Sequence, residues 1–424
     1  MAQLSDDCFA FSGPLLPVDE MERLIVAGVE PVVEIESVAL STAQGRVLAQ
    51  DLFATMDLPP FANSAVDGYA VAHAELDPGV ETRLRVGGRV MAGGAPSGSL
   101  GHREVARVFT GAVMPDGADT VFMQEDCRLD GDSVIFPSGL KHGANRRLAG
   151  EDIGAGSIAL PAGCRLRPPD VALAAALGVA SLTVRRRVRV ALFSTGDEVV
   201  EPGEALPPAH IYDANRTLLA TLLRGFGAEV TDLGILADDP KVLLAALAEA
   251  ARSHDLILTS GGVSTGEADH VRTVIEQIGR LVFWRIAIKP GRPVAMGVIP
   301  GRQAKESAAF LGLPGNPVAV FVTFVRVVRP LLLRMAGAAP EPLLAFPVTA
   351  DFSYRKKKGR REYVRVSIAR AEDGSLRASK HPQDGAGVLT SLTQTDGLAE
   401  LADDITNVEP GTTIGFLPYA SLFS

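Results

Sequence analysis

The segment "RVRVALFSTGDE" (residues 187–198) joins a run of strand-forming apolar residues to a loop of small and acidic residues. The pattern then alternates: "DANRTLLATLLRGFG" (213–227) is typical of a helix, "AEVTDLGIL" (228–236) of a strand, "DPKVLLAALAEAARS" (239–253) of a helix and "DLILTSGGVS" (255–264) of a strand. Such alternation predicts βαβ units. We therefore expect a doubly wound α/β domain, with helices on both faces of a parallel sheet, over residues 186–336.

The segments on either side of this domain have a different spacing of apolar residues. Short strand-like runs separated by Gly, Pro and Asp predict an inserted all-β module over residues 53–148. Residues 17–52 and 149–185 each contain one helical segment and are predicted to form a discontinuous linking domain; in the first, Asp19 is the expected N-cap of a capping box. Residues 337–424 return to short alternating strands and predict a C-terminal β-rich domain.

Bulk composition limits the possible partners. The chain has 424 residues, 47% of them hydrophobic, and a formal charge of -9, so its surface as a whole does not favour a polyanion. The densest basic run, "YRKKKGRREYVRV" (354–366), is interpreted as a solvated hairpin in preference to a nucleic-acid site. No nucleic-acid partner is expected.

Cysteine usage and apolar segments point to a reducing compartment. Cys8, Cys127 and Cys164 are far apart and form no C-x-x-C pair, so neither a disulfide framework nor a zinc site is indicated. The N-terminal "MAQLSDDCFAFSG" (1–13) is acidic where a signal peptide is basic, and no apolar run approaches the ~18 residues of a membrane span. We expect a cytoplasmic protein without a membrane partner.

Five loops of small, charged and proline residues follow predicted strands. They are "STGDE" (194–198), "DDP" (238–240), "SGGVSTGEAD" (260–269), "KPGRP" (289–293) and "LPGNP" (313–317). Singly, each has a structural explanation, such as a tight turn at Gly261 and Gly262 or a helix cap at Asp197 or Asp238. Ligands of open α/β sheets bind beyond the carboxyl ends of the strands, so five such loops together predict a binding site there.

The residue types in these loops indicate phosphate and a hard cation. Small residues let backbone N–H groups approach an anion, and Lys289 and Arg292 add positive charge. The carboxylates of Glu198, Asp238 and Asp269 would repel a bare anion, which predicts a bridging Mg²⁺ ion. His270 follows Asp269 without metal-ligand spacing, so it is interpreted either as a residue that supports a metal ligand or as merely structural.

The β module contributes a separate polar cluster. "PPFANSAVDGYAV" (59–71) places Asp67 before a Gly-Tyr pair, and "RVFTGAVMPDGADTV" (107–121) places Thr110 at a strand end. The structural alternative is a capped turn. The functional alternative is a rigid carboxylate that completes a site formed by another domain.

Six motifs in order resemble one known family over about residues 17–420. They are "NSAVDGYAV" (63–71), "FTGAVMPDGADTV" (109–121), "STGDE" (194–198), "SGGVSTGEADH" (260–270), "FWRIAIKPGRP" (283–293) and "LPGNPVAV" (313–320). The sequence resembles the bacterial molybdopterin molybdenumtransferases, the MoeA family, and the E domain of gephyrin. The resemblance implies an elongated homodimer of four-domain subunits, each ending in a β-barrel-like domain. It also implies a transferase that inserts molybdate into the dithiolene of adenylylated molybdopterin and releases AMP.

The resemblance also implies roles for residues at the matching positions. Asp67 and Thr110 would face the α/β domain of the partner subunit, while Glu198, Asp238 and Asp269 would hold Mg²⁺ or the water that cleaves the pyrophosphate. Lys289 would neutralise phosphate or molybdate. The other residues assigned to substrate binding are Gly261, Gly262, Ser264, Arg285, Arg292, Pro314, Pro317 and Arg365.

Two positions depart from the family pattern. Arg285 in "FWRIAIKPG" stands where the family often has lysine, and a guanidinium places hydrogen bonds differently from an ammonium. In "QDGAGVLTSL" (383–392), Ala386 stands where the family commonly has serine. An oxyanion contact is then missing or is supplied by Ser391 or Thr390.

Alternative functions remain open at this point. The first is a molybdopterin adenylyltransferase, whose fold resembles the α/β domain, although the length and the "NSAVDGYA" module argue against it. The second is a non-catalytic cofactor carrier or scaffold. The sequence does not separate molybdate from tungstate, and the adenylyltransferase and recipient molybdoenzymes are conceivable protein partners.

Overall fold

The computed structural model describes residues 15–32, 34–94, 98–261, 270–291, 293–301 and 307–423. The chain divides into two compact units. Unit 1 comprises Met1–Gln50, Ala162–Arg167 and Leu182–Ser424, and unit 2 comprises Asp51–Pro161 and Pro168–Ser181. The four domain boundaries expected from the sequence stay a prediction.

The helices are short to medium in length. They are α1 Val18–Gly28, α2 Pro168–Ala176, α3 Ala214–Gly225, α4 Pro240–Ala250, α5 His270–Ile278, α6 Pro317–Thr323, α7 Arg329–Met335, α8 Thr390–Thr393 and α9 Tyr419–Leu422. A π-helical turn, Phe324–Val328, joins α6 to α7. Within the described ranges, the structure has no helix with the length and apolar character needed to cross a membrane.

The β-strands form several sheets. Up to residue 185 they are β1 Ile35–Ala39, β2 Leu52–Phe53, β3 Asn63–Ser64, β4 Gly68–Val71, β5 Thr82–Val90, β6 Glu104–Val108, β7 Thr120–Met123, β8 Arg128–Asp130, β9 Ser133–Phe136, β10 Arg146–Arg147, β11 Ile158–Leu160 and β12 Ser181–Arg185. After it they are β13 Arg189–Thr195, β14 Val199–Val200, β15 Ile211–Tyr212, β16 Glu229–Leu236, β17 Leu256–Ser260, β18 Arg280–Arg285, β19 Ile288–Lys289, β20 Pro293–Pro300, β21 Ser307–Leu313, β22 Phe346–Ala350, β23 Tyr354–Arg355, β24 Arg361–Arg370, β25 Leu376–Lys380, β26 Gly397–Leu401, β27 Asn407–Val408 and β28 Thr413–Pro418.

The predicted doubly wound α/β architecture is confirmed in unit 1. Six strands lie in the order β16-β13-β17-β21-β20-β18; the first four are parallel, and β20 runs antiparallel to both of its neighbours. Val190 and Leu192 of β13 pack in one core cluster with α3 and α6, whereas Ala191 and Phe193 pack in another with α4 and α5. Because successive strand residues point to opposite faces, helices cover both sides of the sheet.

The C-terminal region of unit 1 is a closed barrel. Its strands follow the order β24-β25-β22-β28-β26, and a further pairing of β24 with β26 closes the circle. Val364 and Val366 of β24 lie in the barrel core, whereas Tyr363 belongs to the core cluster of the α/β sheet. The alternation along β24 therefore turns one face of this strand inward and the other toward the α/β layer.

Unit 2 contains the predicted all-β module. Its main sheet has the order β7-β4-β6-β5-β9-β8 and is covered on its two faces by separate small cores, one around Phe122 and Phe136 and the other around Val108 and Val121. Both faces are thus buried, which explains why Gly68–Val71 is apolar throughout instead of alternating.

Two local predictions were wrong. Asp19 does not cap α1: the N-cap is Pro17 without a side-chain hydrogen bond, and the Asp19 carboxylate accepts hydrogen bonds from Arg361 of the barrel. The basic run is not a solvated hairpin either. Tyr354–Arg355 pairs with Asn407–Val408, and both Lys356 and Arg365 are buried. In both cases a distant partner outweighs the local pattern.

Candidate functional site

The carboxyl ends of four strands lie level at one edge of the α/β sheet. Thr195 of β13 is in register with Leu236 of β16, and Ser260 of β17 is in register with Leu313 of β21. The loops "STGDE", "DDP", "SGG" and "LPGNP" therefore leave the sheet side by side. Gly261 begins its loop with φ +87 and donates its N–H to Leu313 O at 3.1 Å, so the first glycine of the pair makes a turn that a β-carbon would strain.

The fifth loop, "KPGRP", has a different origin. It follows β19, which pairs in parallel with barrel strand β24, with Ile288 opposite Arg361 and Lys289 opposite Glu362. The expectation that all five loops follow strands of one sheet is therefore corrected, since this strand belongs to the barrel sheet. The consequence is that Lys289 lies where the α/β layer meets the barrel.

A cavity of about 580 Å³ opens at this junction. Four residues assigned to the site from the sequence line it, namely Gly261, Lys289, Pro314 and Arg365. Ala386, one of the two departures from the family pattern, lines it as well. The cavity thus brings together the edge of the α/β sheet, the "KPG" loop and the face of β24 that points away from the barrel core.

Arg365 is a buried cation without an anionic partner among the described residues. Its side chain is 4% exposed, Nε donates to Ser391 Oγ at 2.9 Å, and Nη2 donates to Gln383 O and Gly385 O at 3.0 and 3.1 Å. Burial lowers the pKa of Arg365, but a guanidinium keeps its proton at neutral pH. A buried charge held only by neutral acceptors is costly unless an anion joins it. Arg365 therefore makes the cavity a candidate anion site.

The structure also defines the role of Ser391. Its hydroxyl accepts from Arg365 Nε and donates to Val388 O at 2.6 Å, and the side chain is fully buried. A hydroxyl has one proton, so Ser391 has none left to offer an oxyanion. Ser391 holds Arg365 in place, and Ala386, which lines the cavity, has no side-chain hydroxyl to offer.

Lys289 is held by two barrel groups. Its Nζ lies 3.1 Å from Tyr354 Oη and 3.3 Å from Glu362 Oε2. Burial lowers the pKa of the Lys289 ammonium, but the hydrogen bond with Tyr354 and the charge of Glu362 outweigh burial, so the net shift is upward. Lys289 is therefore cationic at neutral pH. Sequence reasoning missed Tyr354, because this residue lies within a basic run whose charges dominate the pattern.

Glu198 and Asp238 lie on neighbouring loops of the sheet edge. Neither carboxylate forms an ion pair within the part of the chain that the structure describes, and Asp238 is not a helix cap, because Asp239 accepts the N–H groups of Lys241 and Val242 at 2.8 and 3.1 Å. The cap that sequence reasoning offered for Asp238 thus belongs to its neighbour, which leaves Asp238 free for another role.

The donor chemistry of these loops is compatible with Mg²⁺. Among the described residues there is no group of three or more His, Cys, Asp or Glu side chains that could hold a metal ion. Mg²⁺ is usually bound by only one or two protein carboxylates, together with water and substrate phosphates. Glu198 and Asp238 would supply two such carboxylates. Asp269, the third predicted ligand, lies outside the described residues.

Asp67 and Thr110 contact each other directly in unit 2. Asp67 Oδ1 accepts the backbone N–H and the hydroxyl of Thr110, both at 2.8 Å. These two hydrogen bonds, the backbone one first, lower the pKa of the Asp67 carboxyl. Two motifs 43 residues apart therefore form one hydrogen-bonded pair in which the Asp67 carboxylate is ionised at neutral pH.

The remaining predicted residues are placed as follows. Arg285 is exposed at the end of β18 and does not line the cavity, and Pro317 is the first residue of α6. Gly262, Ser264, Asp269 and Arg292 lie outside the described residues.

Gly291 in the "KPG" loop is expected to tolerate no side chain. Its φ is +106, and a β-carbon would lie 2.4 Å from the buried Thr323 Oγ1. We expect Gly291→Ala to lower the free energy of unfolding by about 2 kcal/mol, measured by urea denaturation. Gly359, with φ +81 and open space around it, is the matched control. Gly359→Ala should cost about 1 kcal/mol, and equal losses at the two positions would contradict a steric cause.

Comparisons with known proteins cover almost the whole described chain. Residues 16–178 match the MoeA N-terminal region (domain I and II), residues 191–334 match a probable molybdopterin binding domain, and residues 347–419 match the MoeA C-terminal region (domain IV). The Haemophilus influenzae protein named molybdopterin molybdenumtransferase is 35% identical over 96% of this chain and 100% of its own length. A Nostoc protein of the same name is 35% identical over 89% of this chain and 87% of its own.

Solved structures agree with these relatives. The crystal structure of the molybdopterin biosynthesis moeA protein from Pyrococcus horikoshii OT3 is 28% identical, covers 96% of this chain and 100% of its own, and has a TM-score of 0.78. The mixed α/β fold and its C-terminal barrel are therefore shared with a protein of known structure. With three family regions in order and full-length relatives above 30% identity, the chain belongs to the MoeA family of molybdopterin molybdenumtransferases.

Proposed function

We propose that this protein is an Mg²⁺-dependent transferase that inserts molybdate into the dithiolene of adenylylated molybdopterin and releases AMP. The observation that supports it best is the buried Arg365 guanidinium, which lines the same cavity as Lys289 and has no carboxylate partner among the described residues. Two cations at one wall suit a tetrahedral dianion, and the adjoining glycine loop suits a pyrophosphate.

The chain's own groups divide the work by position. Arg365 and Lys289 bind the oxyanion at the barrel side of the cavity, while Gly261 and Pro314 form the opposite side at the sheet edge. Glu198 and Asp238, with Asp269, would hold Mg²⁺, which supplies charge neutralisation at the pyrophosphate when bound. Water adds to one phosphorus as the bridging P–O bond breaks and AMP departs. One oxo group of molybdate leaves as water with the two thiol protons as two Mo–S bonds form.

The assembly and location are part of the same proposal. A homodimer in which Asp67 and Thr110 face the α/β domain of the partner subunit is consistent with the hydrogen-bonded pair that these residues form. A cytoplasmic location stays a prediction from the sequence. Size-exclusion chromatography with light scattering tests the dimer directly, and a monomer at micromolar concentration would contradict it.

The reaction is tested by incubating purified protein with adenylylated molybdopterin, Mg²⁺ and molybdate. We expect AMP release that requires molybdate and is abolished by EDTA. Asp269→Asn should lower its rate about 100-fold, the usual loss when one charge-stabilising group is removed. Asp373→Asn, an exposed carboxylate in a barrel turn, is the matched control.

Other outcomes would assign another function. Formation of adenylylated pterin from ATP would identify an adenylyltransferase, and tight pterin binding without AMP would identify a carrier. An added tungstate reaction measures the preference between the two oxyanions, which have nearly the same size and charge.

A further inference from the structure

Lys289 is one member of a hydrogen-bonded chain that runs into the barrel. Its ammonium donates to Tyr354 Oη at 3.1 Å, and Tyr354 Oη donates to Glu362 Oε2 at 2.7 Å. Glu362 is 1% exposed, lies 3.3 Å from Lys289 Nζ, and accepts from Arg360 Nε at 2.6 Å. Lys289, Tyr354, Glu362 and Arg360 thus each have at least one partner of opposite charge or complementary hydrogen-bonding type.

Three separate strands fix this chain. Lys289 on β19 is in register with Glu362 on β24, and Tyr354 on β23 is held by pairing with Val408 on β27. The Lys289 side chain is 47% exposed, and a lysine with that exposure normally has a mobile stem. Here the ammonium is anchored from two directions by groups that the barrel keeps rigid.

Hydrogen-bonding capacity leaves at least one donor for a ligand. An ammonium has three N–H groups. Lys289 donates one of them to Tyr354 and forms an ion pair with Glu362 at 3.3 Å, so at least one N–H remains for the cavity that Lys289 and Tyr354 both line. Tyr354 cannot donate to the ligand in place of Lys289, because its single proton is donated to Glu362. Its phenol also stays protonated, since burial is the main cause that raises its pKa.

The charges around the cavity match a dianion. The charged residues that line the cavity are Lys289, Arg365 and Asp384, and Asp384 is paired with Lys380 at 2.7 Å. Positive charge therefore exceeds negative charge in the lining. Glu362 pairs with both Lys289 and Arg360, so it orients Lys289 without cancelling the positive potential of the wall.

We infer that Tyr354 and Glu362 are positioning residues that hold the Lys289 ammonium in place to bind the oxyanion substrate. This inference rests on the proposed function and adds two residues that act through Lys289. Neither residue is required to touch the substrate, because each acts on the direction in which Lys289 donates its free N–H.

Direct binding of molybdate, measured by calorimetry on the full-length protein, tests the inference. Tyr354→Phe removes one oxygen and should weaken molybdate binding about tenfold, the usual effect of a lost hydrogen bond to a charged group. Pterin affinity and the rate of AMP release at saturating molybdate should stay unchanged. Tyr212→Phe, which removes an exposed hydroxyl bonded to Glu204 O, is the matched control and should bind molybdate normally.

A double-mutant cycle separates positioning from a general structural effect. If Tyr354 acts through Lys289, the tenfold loss should disappear when Tyr354→Phe is combined with Lys289→Gln. An equal loss in both backgrounds would overturn the inference. Glu362→Gln, which keeps the shape and removes the charge, should weaken molybdate binding in the wild-type background only; a normal affinity would likewise overturn it.

The two proposals fail in different ways. Wild-type protein without molybdate-dependent AMP release would remove the proposed function, whereas the binding cycle would still report whether Tyr354 acts through Lys289. Conversely, normal AMP release together with an unchanged molybdate affinity of Tyr354→Phe would remove only the positioning role.

Discussion

Replacing Glu198 by Gln and Asp238 by Asn together is expected to lower the rate of AMP release about a thousandfold, since removing one charge-stabilising group costs about 10² to 10³ and the losses at residues that act together on one ion are not additive. Both carboxylates stand on loops that leave the sheet side by side after β13 and β16. Without their charges the pyrophosphate loses the groups that would hold its Mg²⁺. Molybdate affinity should not change, because Lys289 and Arg365 remain. AMP release is measured at saturating molybdate over a range of Mg²⁺ concentrations.

Asp239→Asn is the closest control for this variant. Asp239 is adjacent in sequence and exposed, but its carboxylate caps α4 and an asparagine caps equally well. The control should release AMP at the normal rate. If the double variant also kept its normal rate, or lost molybdate affinity instead, the assignment of these carboxylates to the metal would be wrong.

Replacing Arg365 by methionine is expected to lower molybdate affinity about 100-fold. The variant removes one of the two cations at the wall of the cavity, and hydrogen bonds to charged groups in a partly dry site are worth more than those at the surface. Arg365→Lys should lower molybdate affinity about tenfold. An ammonium keeps the positive charge, but it lacks the planar set of N–H donors that bonds to Ser391, Gln383 and Gly385 together. Calorimetric titration at fixed ionic strength gives both values.

Arg377→Met controls for the loss of a positive charge in the barrel. Arg377 is 49% exposed and pairs with Asp373, so its replacement should leave molybdate affinity unchanged. Thermal unfolding of all three variants shows whether each is folded at the temperature of the titration. Normal molybdate affinity of a folded Arg365→Met variant would remove Arg365 from the site.

The two variants separate two parts of the reaction. The Glu198 and Asp238 variant is expected to lower the rate of bond cleavage at the sheet edge. The Arg365 variant is expected to lower the affinity for the oxyanion beside the barrel. A protein that merely stored the cofactor would show the second effect without the first, because storage requires no charge stabilisation during bond cleavage.

Local periodicity was sufficient to predict the fold class. In residues 187–260, apolar residues recur alternately with the spacing of a strand and with that of a helix. Each spacing is a property of neighbouring residues, so the doubly wound sheet could be predicted without any knowledge of distant contacts. The loops after β13, β16, β17 and β21 followed from the same rule, because the carboxyl ends of parallel strands meet at one edge.

Pairings between distant residues were not predictable in this way. The register of Lys289 with Glu362, the hydrogen bond of Arg365 to Ser391 and the pair of Asp19 with Arg361 each join segments whose own patterns do not specify a partner. The alternation of apolar and polar residues along a strand indicates which face of the sheet a side chain occupies, but it does not indicate which strand lies next to that strand. The α/β sheet and most of the charged residues of the site could thus be predicted from the sequence. Only the tertiary structure, through the pairing of β19 with the barrel, determines which of those residues are held by other side chains and which are free to bind an anion.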